Sequence, residues 1–150
     1  MDRQVEFCNW YKDRLISCLI KDRLSIELIF CIIGVDLVLR QREIGMLIWE
    51  QIDLKNKIIK DVKISKKLSP DQIGLLSYGD MKMTDDIVFI LENYITLNGV
   101  GKGKLFPINN KGVYYDSIRK SIGDITFSGM RLRQIGITLK AAEVEDWRKR

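Results

Sequence analysis

Leu39-Arg40-Gln41-Arg42-Glu43-Ile44-Gly45-Met46-Leu47-Ile48-Trp49-Glu50-Gln51-Ile52-Asp53 is the stretch whose reading decides the fold. Arg40 and Glu43 stand three apart, a spacing that places both on one face of a helix. Ile44, Leu47 and Ile48 follow at helical spacing and form an apolar stripe that needs a core. Trp49 then leads into Ile52-Asp53-Leu54, where the helical spacing stops. The stretch therefore reads as an arginine at the start of an amphipathic helix, with a carboxylate placed to hold it. Taken alone, such a pair is an ordinary surface ion pair worth a few tenths of a kcal/mol.

Toward the N-terminus, residues 2–24 read as a helix or two, with Val5, Phe7, Cys8, Tyr11, Leu15, Cys18 and Leu19 recurring at threes and fours. The charged break Lys21-Asp22-Arg23 separates them from a second helix, Ile26 to about Val38. Its stripe Leu28, Ile32, Val35 and Leu39 is supplemented by Ile29, Phe30 and Ile33 on other sides, so this helix is expected to be central. Toward the C-terminus, Leu54-Lys55-Asn56-Lys57 is turn-like, and Ile58 to Ile64 is β-branched and partly alternating. Pro70 interrupts the next run. A short antiparallel hairpin or three-stranded sheet is expected from Asp53 to about Leu76. Lysines 55, 57, 60, 63, 66 and 67 are dense, and between residues 55 and 67 they stand against the single acid Asp61.

Thr84 before Asp85-Asp86 is a helix start, a capping hydroxyl followed by two anions that the helix dipole favours. Ile87, Ile90, Leu91, Tyr94 and Ile95 continue that helix until Asn98-Gly99. Gly101-Lys102-Gly103 neither follows a strand nor opens a helix, which argues against a dinucleotide site. Leu105-Phe106-Pro107 is a short extended piece. Tyr115, Ile118 and Ile122 mark another helix. A last helix runs from Ser128 to about Ala142, with Ile135, Leu139 and Ala142 inward. The fold class is α+β, mostly α-helical with one small antiparallel sheet.

A chain of 150 residues suffices for one core, and a single domain over residues 1–150 is expected. The net charge of +5 permits nucleic-acid binding without establishing it. The longest apolar run, Leu28 to Val35, is too short to span a bilayer, and no secretory leader is evident, so a cytoplasmic location in a host cell is expected. Cys8, Cys18 and Cys31 sit among apolar helical positions and read as buried free thiols. Without a single histidine or a CxxC pair a zinc site is not expected, and no motif for another metal or a cofactor is found, so none is expected. The missing histidine also removes the commonest general acid/base and any Ser-His or Cys-His nucleophile pair.

The pattern Arg40-x-x-Glu43-Ile44-x-x-Leu47-x-Trp49-x-x-Ile52-Asp53 resembles the first catalytic-arginine box of the tyrosine recombinases (phage integrases), commonly GLRxSELLxLxWxDID. Leu39 matches the leucine before that arginine, while Val38 stands where the family usually has glycine. The resemblance continues in register. The family's small sheet carries a catalytic lysine, and Lys63 or Lys66 falls there. Leu105-Phe106-Pro107 matches its Leu-Phe-Pro motif, and Tyr114-Tyr115 matches the paired aromatics that begin its next helix. Ile125-Thr126-Phe127-Ser128-Gly129-Met130-Arg131 aligns with the second box, ITPHDLRH.

The resemblance implies a recombinase-catalytic-like fold and a known chemistry. In that family a tyrosine attacks a DNA phosphate, two arginines and a histidine or tryptophan hold the phosphoryl oxygens, and a lysine protonates the leaving oxygen. Guanidinium forks suit a transferring phosphoryl group because its charge builds during the reaction. Arg40 and Arg131 match that arginine pair, with Glu43 as structural support. The match to the second box is broken at Ser128, which stands in place of histidine and reads instead as an N-cap. Only 19 residues follow Arg131, too few for the family's nucleophile segment, so the domain is expected to be truncated there. Trp147 lies too close to Arg131 for the later His/Trp role, and Tyr114 and Tyr115 read as core or helix-edge aromatics. There is no room for the family's separate N-terminal DNA clamp.

Arg40, Lys63, Ser128 and Arg131 are therefore expected to be vestiges of a catalytic set rather than a working one. Arg40, Lys63, Lys66, Lys67, Arg131 and Arg133, with the tail Arg148-Lys149-Arg150, are expected to face phosphates of double-stranded DNA. Three functions remain open on these residues. The chain is a catalytically inactive DNA-binding regulator or accessory factor of a phage or mobile element, the truncated catalytic domain of an active recombinase, or an interaction module. A homo-oligomer or a full-length recombinase is the expected protein partner.

Overall fold

The computed structural model describes residues 2–69, 72–107 and 112–149; the side chains of 65–69, 72–78, 112–113 and 146–149 lie outside the described part. Two compact units result, Met1–Leu39 with Asn110–Arg150, and Arg40–Asn109.

The first unit is helical. Helix α1 (Arg3–Lys21) starts where the Asp2 carboxylate accepts the Gln4 amide at 2.7 Å. Cys8, Tyr11, Leu15 and Leu19 form its buried stripe. It ends where Arg23 turns to φ +59° and the Leu24 amide donates to the Leu19 carbonyl. Helix α2 (Ser25–Asp36) is buried at every position from Leu28 to Val35, which makes it the central helix. Polar contacts bind α1 to its neighbours: Lys12 pairs with Asp36 at 2.8 Å, and Arg14 donates twice to the Ile122 carbonyl at the end of α5 (Gly112–Ile122). Phe30 lies 5.7 Å from the Tyr114 ring and 6.0 Å from that of Tyr115, and Tyr115 meets Phe127 edge-on at 5.8 Å.

Helix α6 (Gly129–Lys149) crosses α2 at Gly136. A Cβ at Gly136 would lie 2.3 Å from the Val35 carbonyl oxygen, so only glycine permits this approach. Leu132, Ile135 and Gly136 are buried, whereas Leu139 and Ala142 are half-buried, and the helix runs beyond the expected Ala142. Val38, just past α2, holds φ +55°. This is the left-handed conformation that glycine adopts without strain, and here a β-branched residue holds it.

In the second unit the expected amphipathic helix is short. Helix α3 covers only Gln41–Ile44, and Leu47 and Ile48 lie outside it. The physical reason lies in the partners of the following backbone. The Trp49 amide donates to the Gly103 carbonyl (2.8 Å), the Leu105 amide donates to the Leu47 carbonyl (3.0 Å), and Ile48 bridges Lys104. Bonding to the 103–105 segment competes with the helix and wins. A 3-10 turn, Trp49–Gln51, leads into β1 (Ile52–Asp53).

Strands β2 (Ile58–Ser69) and β3 (Gln72–Lys82) complete an antiparallel sheet in the order β1-β2-β3. This is the three-stranded arrangement, with strands longer than the sequence suggested. Helix α4 (Asp85–Asn98) starts as expected, with the Thr84 hydroxyl accepting the Ile87 amide at 3.3 Å, and ends at Gly99. Trp49 stacks on Tyr94 at 5.8 Å, and a Cβ at Gly101 would lie 2.4 Å from the Trp49 ring nitrogen. Ile44, Leu47, Ile59, Val62, Leu91, Leu105 and Phe106 are buried in this unit. Among the described residues no helix is long and apolar enough to cross a membrane.

Candidate phosphate-binding residues

Arg40 does not sit within a helix; it is the residue before α3, in extended conformation. Its amide donates to Glu43 Oε1 at 2.8 Å, and its guanidinium Nη1 lies 3.8 Å from Glu43 Oε2. One carboxylate thus caps the helix and faces the arginine. Glu43 is 4% exposed, whereas the Arg40 side chain is 53% exposed. The guanidinium remains open to solvent.

Lys63 lies on β2 next to a bulge. Asp61, at φ +50°, donates its amide to Asp80 Oδ1 (3.0 Å). Gln51 Nε2 donates to the carbonyls of Lys60 (2.9 Å) and Asp61 (3.0 Å), so the irregularity is pinned from two sides. Lys63 Nζ meets Asp61 Oδ1 at 3.0 Å, in an exposed pair worth little by itself. Lys60 lies 3.5 Å from Asp53. Asparagine 56 hydrogen bonds hold the Asp53 carboxyl below its usual range. The sheet therefore brings Asp53 and Asp80 to the bulge beside Asp61. The sequence count of one acid per lysine run understated the local negative charge. The side chains of Lys66 and Lys67 lie outside the described residues, as do those of Trp147, Arg148 and Lys149, and as do Pro70 and Arg150 entirely.

The second box falls in the first unit. Ser128 caps α6: its hydroxyl accepts the Arg131 amide at 3.4 Å, and its carbonyl accepts the amides of Arg131 and Leu132. Arg131 is held by side chains. Its Nη2 donates to Thr126 Oγ1 at 3.2 Å, and its Cζ sits over the Tyr11 ring, 5.6 Å from the centroid. Thr126 in turn donates its hydroxyl to Asp124 Oδ1 (2.6 Å), and the Thr126 amide bonds the same oxygen (2.9 Å). The other oxygen, Asp124 Oδ2, accepts the Tyr11 hydroxyl at 2.5 Å.

These bonds, from Thr126 first and then Tyr11, pull the Asp124 carboxyl down to about 2. Burial, reinforced by the bond to Asp124, pushes the Tyr11 phenol well above its ordinary range. Arg133 Nε is buried with no hydrogen-bond partner among the described residues. Tyr114 and Tyr115 are 1% and 8% exposed, so both are core aromatics. Burial raises the Tyr115 phenol to about 12.

All three cysteines are free thiols; Cys8 and Cys31 are buried as expected, but Cys18 is only half-buried. Tyr11 and Asp124 were not evident as site residues. The Asp-x-Thr spacing of 124–126 is a local turn signal, but its bond to Tyr11 joins residues 113 positions apart.

Six helices among the described residues and one three-stranded antiparallel sheet make a tyrosine-recombinase-like fold, as the likeness to a solved recombinase shows. Among solved structures the chain is similar to the crystal structure of XerA recombinase, at 18% sequence identity and a TM-score of 0.59, over 90% of this chain and 48% of that one. It therefore spans about half the length of that recombinase. No protein-family model matches the chain, and no curated protein matches it by sequence.

Proposed function

We propose that this chain is a DNA-binding protein on a tyrosine-recombinase-like scaffold that does not cleave DNA, serving as a regulator or accessory factor of a phage or mobile element. The observation that carries this reading is the state of the second box. Arg131 is present and oriented by its neighbours, while Ser128 occupies the histidine position as a helix cap. Guanidinium groups can hold phosphate oxygens, and the sequence has no imidazole to move a proton. The binding half of the chemistry is supplied and the proton-transfer half is not. In the other unit, the exposed Arg40 guanidinium, backed by Glu43, is free in its own right to meet a phosphate.

The test is duplex binding by the purified chain at two salt concentrations, on element-end DNA and on random DNA. Tight binding that weakens with salt is expected, and Arg131→Ala should flatten the log–log salt slope by about 0.9 if one phosphate contact is lost. A nicked suicide substrate should yield no covalent protein–DNA adduct. An adduct that forms only when a second chain supplies a tyrosine-bearing segment in trans would instead favour the truncated catalytic domain of an active recombinase.

A second reading, an interaction module that pairs with a recombinase or repressor, draws on the groove between α1 and α6. Phe7, Cys8 and Ile135 line it together with Arg3 and Arg131, and Phe7 is 45% exposed. Partner binding that is lost in Phe7→Asp, with no duplex binding by the wild type, would favour it.

A further inference from the structure

We propose that Tyr11 and Asp124 are positioning residues for Arg131, holding its guanidinium through Thr126 in the orientation that meets a phosphate. The proposal rests on the phosphate-binding reading of Arg131 and adds to it a device that lies partly outside the second box.

Four side chains close a circuit. The Thr126 hydroxyl has one proton, and at 2.6 Å it is committed to Asp124 Oδ1. What Thr126 presents to Arg131 is therefore a lone pair, which fixes the direction of the Nη2 bond. Asp124 is itself fixed, because its other oxygen takes the Tyr11 hydroxyl. Tyr11 is 4% exposed and belongs to the buried stripe of α1. Its ring face then supports the guanidinium carbon. Tyr11 is thus both the anchor of the carboxylate and the floor under the cation.

The carboxylate acts at one remove. Among the described residues Arg131 makes no ion pair, and only its Nη2 is engaged by a side-chain acceptor. A guanidinium has five N–H donors, so most remain for an incoming anion. A direct Asp124–Arg131 pair would have neutralised the cation it is meant to orient. The arrangement supplies orientation with little neutralisation, as an anion-binding arginine requires.

Thr126→Val removes the hydroxyl at an exposed position without changing shape. It should lower duplex affinity about five-fold, the scale of one hydrogen bond, with an unchanged melting temperature, and Thr126→Ser should restore it. Asp124→Asn discriminates further. If the carboxylate were only a nearby negative charge, its removal would strengthen DNA binding; as a positioning group, its removal weakens it.

Arginine side-chain NMR supplies a readout independent of DNA. The Arg131 Nε–H order parameter should fall in Thr126→Val relative to the wild type. Titration with inorganic phosphate should shift that signal more weakly in the variant. Wild-type duplex binding with Thr126→Val indistinguishable from it overturns the positioning role. A wild type that binds inorganic phosphate at Arg131 but no duplex overturns the DNA reading and leaves the positioning intact. An order parameter unmoved by Thr126→Val overturns the circuit itself.

Discussion

Glu43 and Asp124 are both carboxylates that serve an arginine, and they serve it differently. In the second unit Glu43 bonds the Arg40 amide and faces the Arg40 guanidinium directly, so one buried group sets both the backbone turn and the side chain. In the first unit Asp124 reaches Arg131 only through Thr126 and Tyr11. The difference follows from spacing. Three residues allow a carboxylate to fold back on its own helix start, whereas Asp124 and Arg131 are joined by a turn and a helix cap. Local holding is robust because it needs only one short segment. Holding by a circuit depends on helices packing correctly around it.

That contrast predicts which unit is more sensitive to packing. Gly136→Ala should have the largest effect, a loss of about 3 kcal/mol in urea unfolding, because the new methyl meets backbone that cannot move aside. Gly101→Ala in the second unit meets a side chain, the Trp49 ring, and should lose about 1.5 kcal/mol. Equal losses would show that the first unit relaxes as readily as the second.

Glu43→Ala comes next. It removes the helix cap and the arginine's partner together and should cost about 1.5 kcal/mol, with a change in near-ultraviolet signal from Trp49. Val38→Gly should stabilise the protein by about 0.5 kcal/mol, the left-handed strain relieved less the entropy of glycine, and a lowered melting temperature would contradict the strain.

Acid titration gives the smallest effect. The folded Asp124 pKa is about 2 against an ordinary 3.8, so its contribution is complete only above about pH 5 and is lost as pH falls through 2. Asp124→Asn should flatten the stability curve within that window and leave it unchanged near neutrality in slope.

Much of the fold is legible in the sequence because its signals are local. The all-apolar α2, the Thr84 cap and the Ser128 cap each depend on a few adjacent residues, and each is found where the pattern puts it. The helix expected after Arg40 is cut short at Ile44 by bonds to residues 103–105, which no window of sequence around Arg40 contains. The candidate site divides the same way. Arg40, Glu43, Ser128 and Arg131 are visible as spaced motifs, and Asp124-x-Thr126 is visible as a turn. Tyr11 is not, since its periodicity marks it only as core, and its hydroxyl finds Asp124 through tertiary packing. The acids around Lys63 are hidden for a similar reason, because strand pairing delivers them.

Val38 shows what a letter in a motif stands for. Where the matching pattern writes glycine, this chain writes a branched residue and still turns the backbone to φ +55°. A comparison of letters records a mismatch there, although the backbone angle is one that glycine adopts freely. Motifs of this kind are records of shape, and chains far apart in spelling can keep the same grammar.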